Sequence, residues 1–375
     1  MFDFKRISSF KLRWPKRGAG TGGDVLAVSW AGGELAFVRA QLNAEGLYQV
    51  SQFGIERQGE DSLEDFAERL IALGLKGLPV RAMLRPEQYQ ILQIDAPAVP
   101  PEELRSAARW QIKEMLDKHV DDVTLDVMRV GDGKQKGAAQ LFVVTAANVL
   151  VRAVLDLGDA MNWTVPVIDV QDMAQRNLQS ALARVDGRLE RANAALVLVG
   201  ERQALLTISA NEELFYTRRL DIPEGFMASK WGEQDSAFLA EPSTGGATEI
   251  QEYVPDYNVG GVSYGTDYSN SYASPAGGGS VSAESERAQR FLVEVQRSLD
   301  LWDRTWSSLP LSGVRVYAGP RSDELATWLS RELGQPVLAM DMRALVAGFE
   351  DSATMEQALC WPLLGMLMRS ENRQA

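Results

Sequence analysis

Two glycine-turned strand pairs hold the residue pattern best suited to chemistry in this chain, and the chemistry would be phosphate binding. In residues 25–38 the apolar run through Val28, Ser29, Trp30 and Ala31 meets Gly32-Gly33, and a second apolar run follows from Leu35. In residues 195–208 the run through Leu196 and Leu198 to Val199 meets Gly200-Glu201-Arg202-Gln203, and apolar residues resume at Ala204. An apolar stretch of strand length, a polar or glycine turn and a second such stretch read as a β-hairpin. Neither first strand ends in a carboxylate: Ser29 and Leu198 stand there. A hydroxyl or an isobutyl group cannot replace a hard anionic oxygen as a ligand for Mg²⁺. A turn of this kind can offer its amides to a phosphate, but without a carboxylate it has no seat for the metal ion, which points to assembly rather than catalysis.

Other reactive side chains are few. The single histidine, His119, rules out a multi-histidine metal site, and it follows Lys118 in a polar stretch as a surface residue would. The single cysteine, Cys360, rules out an internal disulfide and lies in the apolar context Ala358-Leu359-Cys360-Trp361, where a buried small hydrophobe is expected. No catalytic residue, metal site or resident cofactor is expected; bound ATP is the weaker alternative.

A length of 375 residues with 45% hydrophobic content fits two or three domains with cores of their own. No apolar stretch reaches the roughly 18–20 residues of a membrane-spanning helix. Neither a signal peptide nor a lipidation motif is read. The net charge of −13 is uneven. Residues 1–17 carry Lys5, Arg6, Lys11, Arg13, Lys16 and Arg17 against Asp3, interleaved with Phe2, Phe4, Phe10 and Trp14. Such an arm can lie on an anionic membrane surface; the bland alternative is a solubilising tail. The body is acidic, which argues against nucleic-acid binding. Gly18 to Gly23 imitates a dinucleotide-binding loop but has no strand before it and no helix after it, so it reads as a linker.

The elements that must position the two hairpins follow from periodicity. Strands are expected at 25–29, 34–40, 48–54, 80–84, 89–94, 124–130, 140–145, 165–169, 195–208 (as the hairpin), 214–220, 314–318 and 336–340. Helices are expected from the cap Ser62, from Pro100-Pro101-Glu102-Glu103 with an apolar face Leu104, Ala108, Ile112 and Met115, and at 149–161, after 169, 286–307 and 323–333. Residues 232–286 hold nine acids and no Lys or Arg, with Tyr253, Tyr257, Tyr264, Tyr268 and Tyr272, and read as a disordered acidic insertion. The last apolar segment is 359–368.

Arg85-Pro86-Glu87, Pro100-Pro101-Glu102-Glu103-Leu104, Val123-Thr124-Leu125-Asp126 and Val165-Pro166-Val167-Ile168-Asp169-Val170 occur in the order and spacing of PilM-type proteins. The chain resembles that family from about residue 24 to 369, and within it is most similar to the members serving MSHA pili. The resemblance implies an α/β, actin-like (ribonuclease H-like) two-lobed fold with a small inserted subdomain in the first lobe. The implied layout is an arm and linker at 1–23, a first lobe at 24–190 with the insertion near 80–130, and a second lobe at 191–375 interrupted at 232–286. The C-terminal segment can pack back on the first lobe.

Actin-like ATPases place an Asp where Ser29 and Leu198 stand, each followed by a Gly, where this chain has Ala31 in the first hairpin and Gly200 in the second. A third element admits the nucleotide through a Gly pair, where this chain has Gly319-Pro320. The resemblance therefore implies a pseudo-ATPase: a cytoplasmic adaptor, peripheral on the inner face of a bacterial inner membrane, that binds the tail of a PilN-type bitopic protein and other pilus platform components. The rivals are an active ATPase drawing on carboxylates such as Asp169 or Glu201, and the cytoplasmic lobe of a type II secretion platform.

Overall fold

The structure, a computed structural model, describes residues 23–133, 139–200, 202–231, 283–349 and 357–369. The basic arm and nearly all of the expected insertion lie outside the described residues, as does Glu201. The first lobe opens with an antiparallel meander of β1 (Val25–Ala31), β2 (Glu34–Leu42) and β3 (Tyr48–Arg57). Gly32 and Gly33 adopt φ of +56° and +76°, the two left-handed positions of a two-residue hairpin turn, which sets Ala31 opposite Glu34. In α1 (Leu63–Ala72), the Ser62 hydroxyl accepts from the Asp65 amide at 3.1 Å, and Phe66 and Leu70 bury one face of the helix. β4 (Pro79–Leu84) joins β1 in parallel.

The chain then leaves the main sheet. β5 (Tyr89–Asp95), α2 (Leu104–Gln111), β6 (Val123–Arg129) and β7 (Gln140–Ala147) form a separate three-stranded sheet, ordered β5-β7-β6, around Ile94, Ala108, Ile112, Leu125, Leu141 and Val143. This subdomain runs from 89 to 147 rather than over the expected 80–130. The strand at 80–84 is held by β1 in the main sheet, and β7 closes the small one by pairing with both β5 and β6. α2 also ends earlier than its apolar spacing suggests: Ile112 is fully buried, but Met115 is 47% exposed.

α3 (Asn148–Ala160) returns to the lobe, and β8 (Thr164–Val170) adds in parallel beside β4. α4 (Gln171–Val185) follows; although inside the segment expected as first lobe, it packs on the second sheet, with twelve buried residues. Its Gln175 side chain donates to the carbonyls of Ala195 (2.8 Å) and Leu205 (3.1 Å), and Gln179 donates to those of Asn193 (2.9 Å) and Thr207 (3.2 Å). These bonds pair the two amide nitrogens, which would be costly to bury unpaired.

The second lobe repeats the first. β9 (Ala192–Leu198), β10 (Gln203–Ala210) and β11 (Glu213–Asp221) form an antiparallel meander, and β12 (Leu311–Tyr317) and β13 (Val337–Ala339) add in parallel, in the order β11-β10-β9-β12-β13. α5 (Ala283–Thr305) and α6 (Ser322–Leu333) cover its outer face around Phe226, Phe291, Trp302 and Trp328. α5 begins inside the last residues of the expected insertion, in a run of good helix formers.

The chain then crosses back. β14 (Val346–Ala347) pairs with Tyr48 and Gln49 at the far edge of the first sheet, and α7 (Leu363–Leu367) lies on the first sheet's inner face against α4. Gly365 allows this crossing, because a Cβ there would stand 2.0 Å from the Ala174 carbonyl oxygen. Arg81 donates to the carbonyls of Met366 (2.8 Å) and Leu367 (2.6 Å), Asn177 donates to that of Gly365 (3.0 Å), and Arg369 pairs with Asp169. Each sheet's inner face is thus covered by the helix that follows the other sheet.

Candidate functional site

A cavity of about 750 Å³ opens between the lobes. Its first-lobe wall is Met83, Arg85, Pro86 and Glu87, at and beyond the end of β4. Its second-lobe wall is the β9–β10 turn, including Val199, Gly200 and Arg202, with Arg219 and Asp221 from β11. Gln171, the first residue of α4, and Leu359 complete it.

The first hairpin does not reach this space, because its own neighbours close it. Ser29 is fully buried in β1 and accepts from Arg85 Nε at 3.0 Å. Arg85 Nη1 meets Glu34 Oε1 at 2.9 Å, and Nη2 donates to the Glu34 carbonyl at 3.3 Å. A guanidinium thus satisfies the polar groups beside the β1–β2 turn. Gln88 holds the strand end from the other side, donating to the Trp30 carbonyl at 2.8 Å while accepting from the Arg85 amide at 2.9 Å. Trp30 stacks on Phe66 with centroids 5.3 Å apart.

Of the six positions singled out in the sequence, the structure brings only Gly200 to the cavity wall. Ser29 lies behind Arg85. Ala31 ends β1 at the turn. Leu198 ends β9, fully buried in the second-lobe core. Gly319, at φ +57°, turns the chain from β12 toward α6, where the Ser322 hydroxyl donates to its carbonyl at 2.6 Å. Pro320 forms an isolated bridge with Ala318. Asp169 pairs with Arg369 outside the cavity wall. His119 is a surface residue whose Nδ1 accepts from the Asp121 amide at 3.3 Å. Burial pushes the Cys360 thiol up to about 11.

Apart from Gly200, the residues that line the cavity were not singled out as site residues, although Arg85, Pro86 and Glu87 form one of the motifs. Arg219 donates to the Tyr89 carbonyl at 2.9 Å and lies 4.8 Å from the Tyr89 ring centroid. Tyr89 and Thr217 both donate to the buried carboxylate of Asp172, tying the subdomain, α4 and β11 together. Burial first, and Asp172 second, push the Tyr89 hydroxyl well above its ordinary value. Among the described residues no group of three His, Cys, Asp or Glu side chains could hold a metal ion.

Two lobes that repeat one sheet plan around a cleft, with a small sheet inserted in the first, define an actin-like fold. The chain is similar in structure to the "PilM-PilN type IV pilus biogenesis complex", at 16% identity and a TM-score of 0.58, over 91% of this chain and 98% of that one. Weaker likenesses are to the cytoplasmic domain of EpsL, an inner-membrane component of the type II secretion system of Vibrio cholerae (16% identity, TM-score 0.39, 57% of this chain and 78% of that one), and to an actin-like ATPase-fold protein of Bacteroides thetaiotaomicron (8% identity, TM-score 0.42, 91% of this chain and 96% of that one). The fold assignment rests on the first. No family model matches the sequence, and no curated protein matches it. Among the described residues no helix is long and apolar enough to cross a membrane.

Proposed function

We propose that this chain is a cytoplasmic adaptor of a type IV pilus inner-membrane platform, of the MSHA (MshI-like) kind, and that it binds the cytoplasmic tail of a PilN-type membrane protein without turning over nucleotide. The observation that carries this is the likeness to the PilM-PilN complex over nearly the whole of both chains. The pseudo-ATPase part is supported by the first hairpin, where Arg85 and Glu34 take the place a metal-organising carboxylate would need. The basic arm, Lys5 to Arg17, would add loose attraction to anionic lipid, worth about 1 kcal/mol per basic residue near the surface. The acidic body leaves nucleic acid an improbable partner.

The test is co-purification of the full chain with PilN-type proteins encoded beside it, followed by titration of their tail peptides. Specific, saturable binding of one tail upholds the adaptor; no binding to any of them overturns it. Calorimetry with Mg²⁺-ATP is the second arm: no Mg²⁺-dependent binding is expected, and steady hydrolysis would favour the active-ATPase alternative.

A further inference from the structure

We propose that the interlobe cavity is a metal-independent site for a small organic oxyanion, held by nitrogen donors of the second lobe and α4, with its apolar body against Met83, Val199 and Leu359. Three observations converge. First, Gln171 lines the cavity, is only 3% exposed, and its side-chain amide has no hydrogen-bond partner among the described residues. An amide buried to that degree is ordinarily bonded, so a ligand on the cavity side would complete it. Second, Gln171 opens a fifteen-residue helix whose preceding residue, Val170, supplies no side-chain cap. That helix end, which favours an anion, thus lies at the cavity, and the one carboxylate of its first turn, Asp172, is already held by Tyr89 and Thr217. Third, Arg202 is an exposed wall residue with no acidic partner among the described residues. A guanidinium binds carboxylate or phosphate through two parallel donors.

The remaining charges limit the ligand. Among the described residues the wall holds Arg85, Arg202 and Arg219 against Glu87 and Asp221, an excess of one positive charge in a chain of net charge −13. Arg85 is spent on Ser29 and Glu34, and Arg219 on Tyr89. A triphosphate would go largely uncompensated, a phosphate monoester of about −1.5 to −2 charge in part, and a single carboxylate would be matched. A volume of about 750 Å³ leaves room for an apolar body of drug-like size. This inference stands apart from tail binding, since a chain that bound no membrane-protein tail would keep it.

The experiment is calorimetry on the full chain in EDTA with phenyl phosphate, benzoate, inorganic phosphate and ATP, using the wild type, Arg202→Ala, Gln171→Leu and the distant surface variant Arg343→Ala. Phenyl phosphate or benzoate should bind without metal, more tightly than inorganic phosphate or ATP; the tighter of the two identifies the oxyanion. Arg202→Ala should weaken that binding about tenfold or more, the weight of a charged hydrogen bond. Gln171→Leu should weaken it several-fold while keeping the melting temperature, because it removes an amide that no described protein group pairs. Arg343→Ala should change nothing. Absence of binding at about 10 mM probe, a requirement for Mg²⁺, or equal binding by all four proteins would overturn the proposal.

Discussion

The two hairpins occupy equivalent places in sheets of the same strand order, and they have met opposite fates. The β1–β2 hairpin is sealed by Arg85, Glu34, Gln88 and the Trp30–Phe66 stack. The β9–β10 hairpin stays open and forms a wall of the cavity through Val199, Gly200 and Arg202. A repeated backbone plan therefore does not give two like half-sites: each turn is open or closed according to the side chains around it. In the first lobe the polar groups near the turn bond to one another, so that turn presents no free side-chain donor to the cavity.

The sharpest way to break this contrast is Arg85→Ala. It strips the buried Ser29 of its partner, leaves the partly buried Glu34 with Arg57 alone at 3.1 Å, and should cost about 3 kcal/mol, the low end for breaking a buried pair. Urea denaturation measures it, and a double variant that also replaces Glu34 with Leu should recover part of the loss. A loss within about 0.5 kcal/mol would show that the seal on the first hairpin is incidental.

Gly365→Ala tests the other closure on the first lobe's inner face. Its Cβ would meet backbone rather than a movable side chain, so a loss of roughly 2 kcal/mol is expected from overpacking, read as a lower melting temperature. Next in size is an alkaline effect at Cys360, which is held against the Gly54 carbonyl of β3 at 3.3 Å. Below about pH 8.5 both folded and unfolded chains keep the thiol protonated. Between there and about 11 only the unfolded chain ionises, so stability falls by roughly 1.4 kcal/mol per pH unit from this group. Tyr89 acts in the same direction at higher pH. Denaturation at pH 8 and 10.5 should show a shallower decline for Cys360→Ala than for the wild type. The smallest effect is expected on the open side: Arg202→Ala should change stability by no more than about 0.5 kcal/mol, measured in the same assay.

Strands were legible wherever apolar runs of strand length met turn residues, and β1, β4, β5 and β8 begin and end within two residues of where the pattern places them. Pairing was not legible. Nothing in Pro79–Leu84 or Gln140–Ala147 declares which sheet each joins, so the inserted sheet was expected too early in the chain. β14 was missed because two residues carry no period. Met115 misled because its helical spacing continues the face of α2 after the helix has ended. At the site, reading the turns found Gly200 but not Gln171, since one glutamine among the many polar residues of α4 has no sequence signal. Arg85 could have been found: a basic residue just past a buried strand, in a motif already singled out, is a natural partner for a buried hydroxyl and a nearby Glu.

The crossing of α7 onto the first sheet also sets a timetable for biosynthesis. Tyr48 bonds to a carbonyl 319 residues later, Cys360 to one 306 residues earlier, and Arg81 to one 285 residues later. At roughly 5–20 residues per second, the ribosome delivers these partners about 15–60 s after the strands that need them. During that interval the nascent first sheet has one finished face and one bare face, lined by Ala27, Ala36, Val38 and Met83. The newborn chain must be kept from sticking to its neighbours until its last described stretch, residues 357–369, emerges, which makes it a natural client for a chaperone that shields apolar sheet surface.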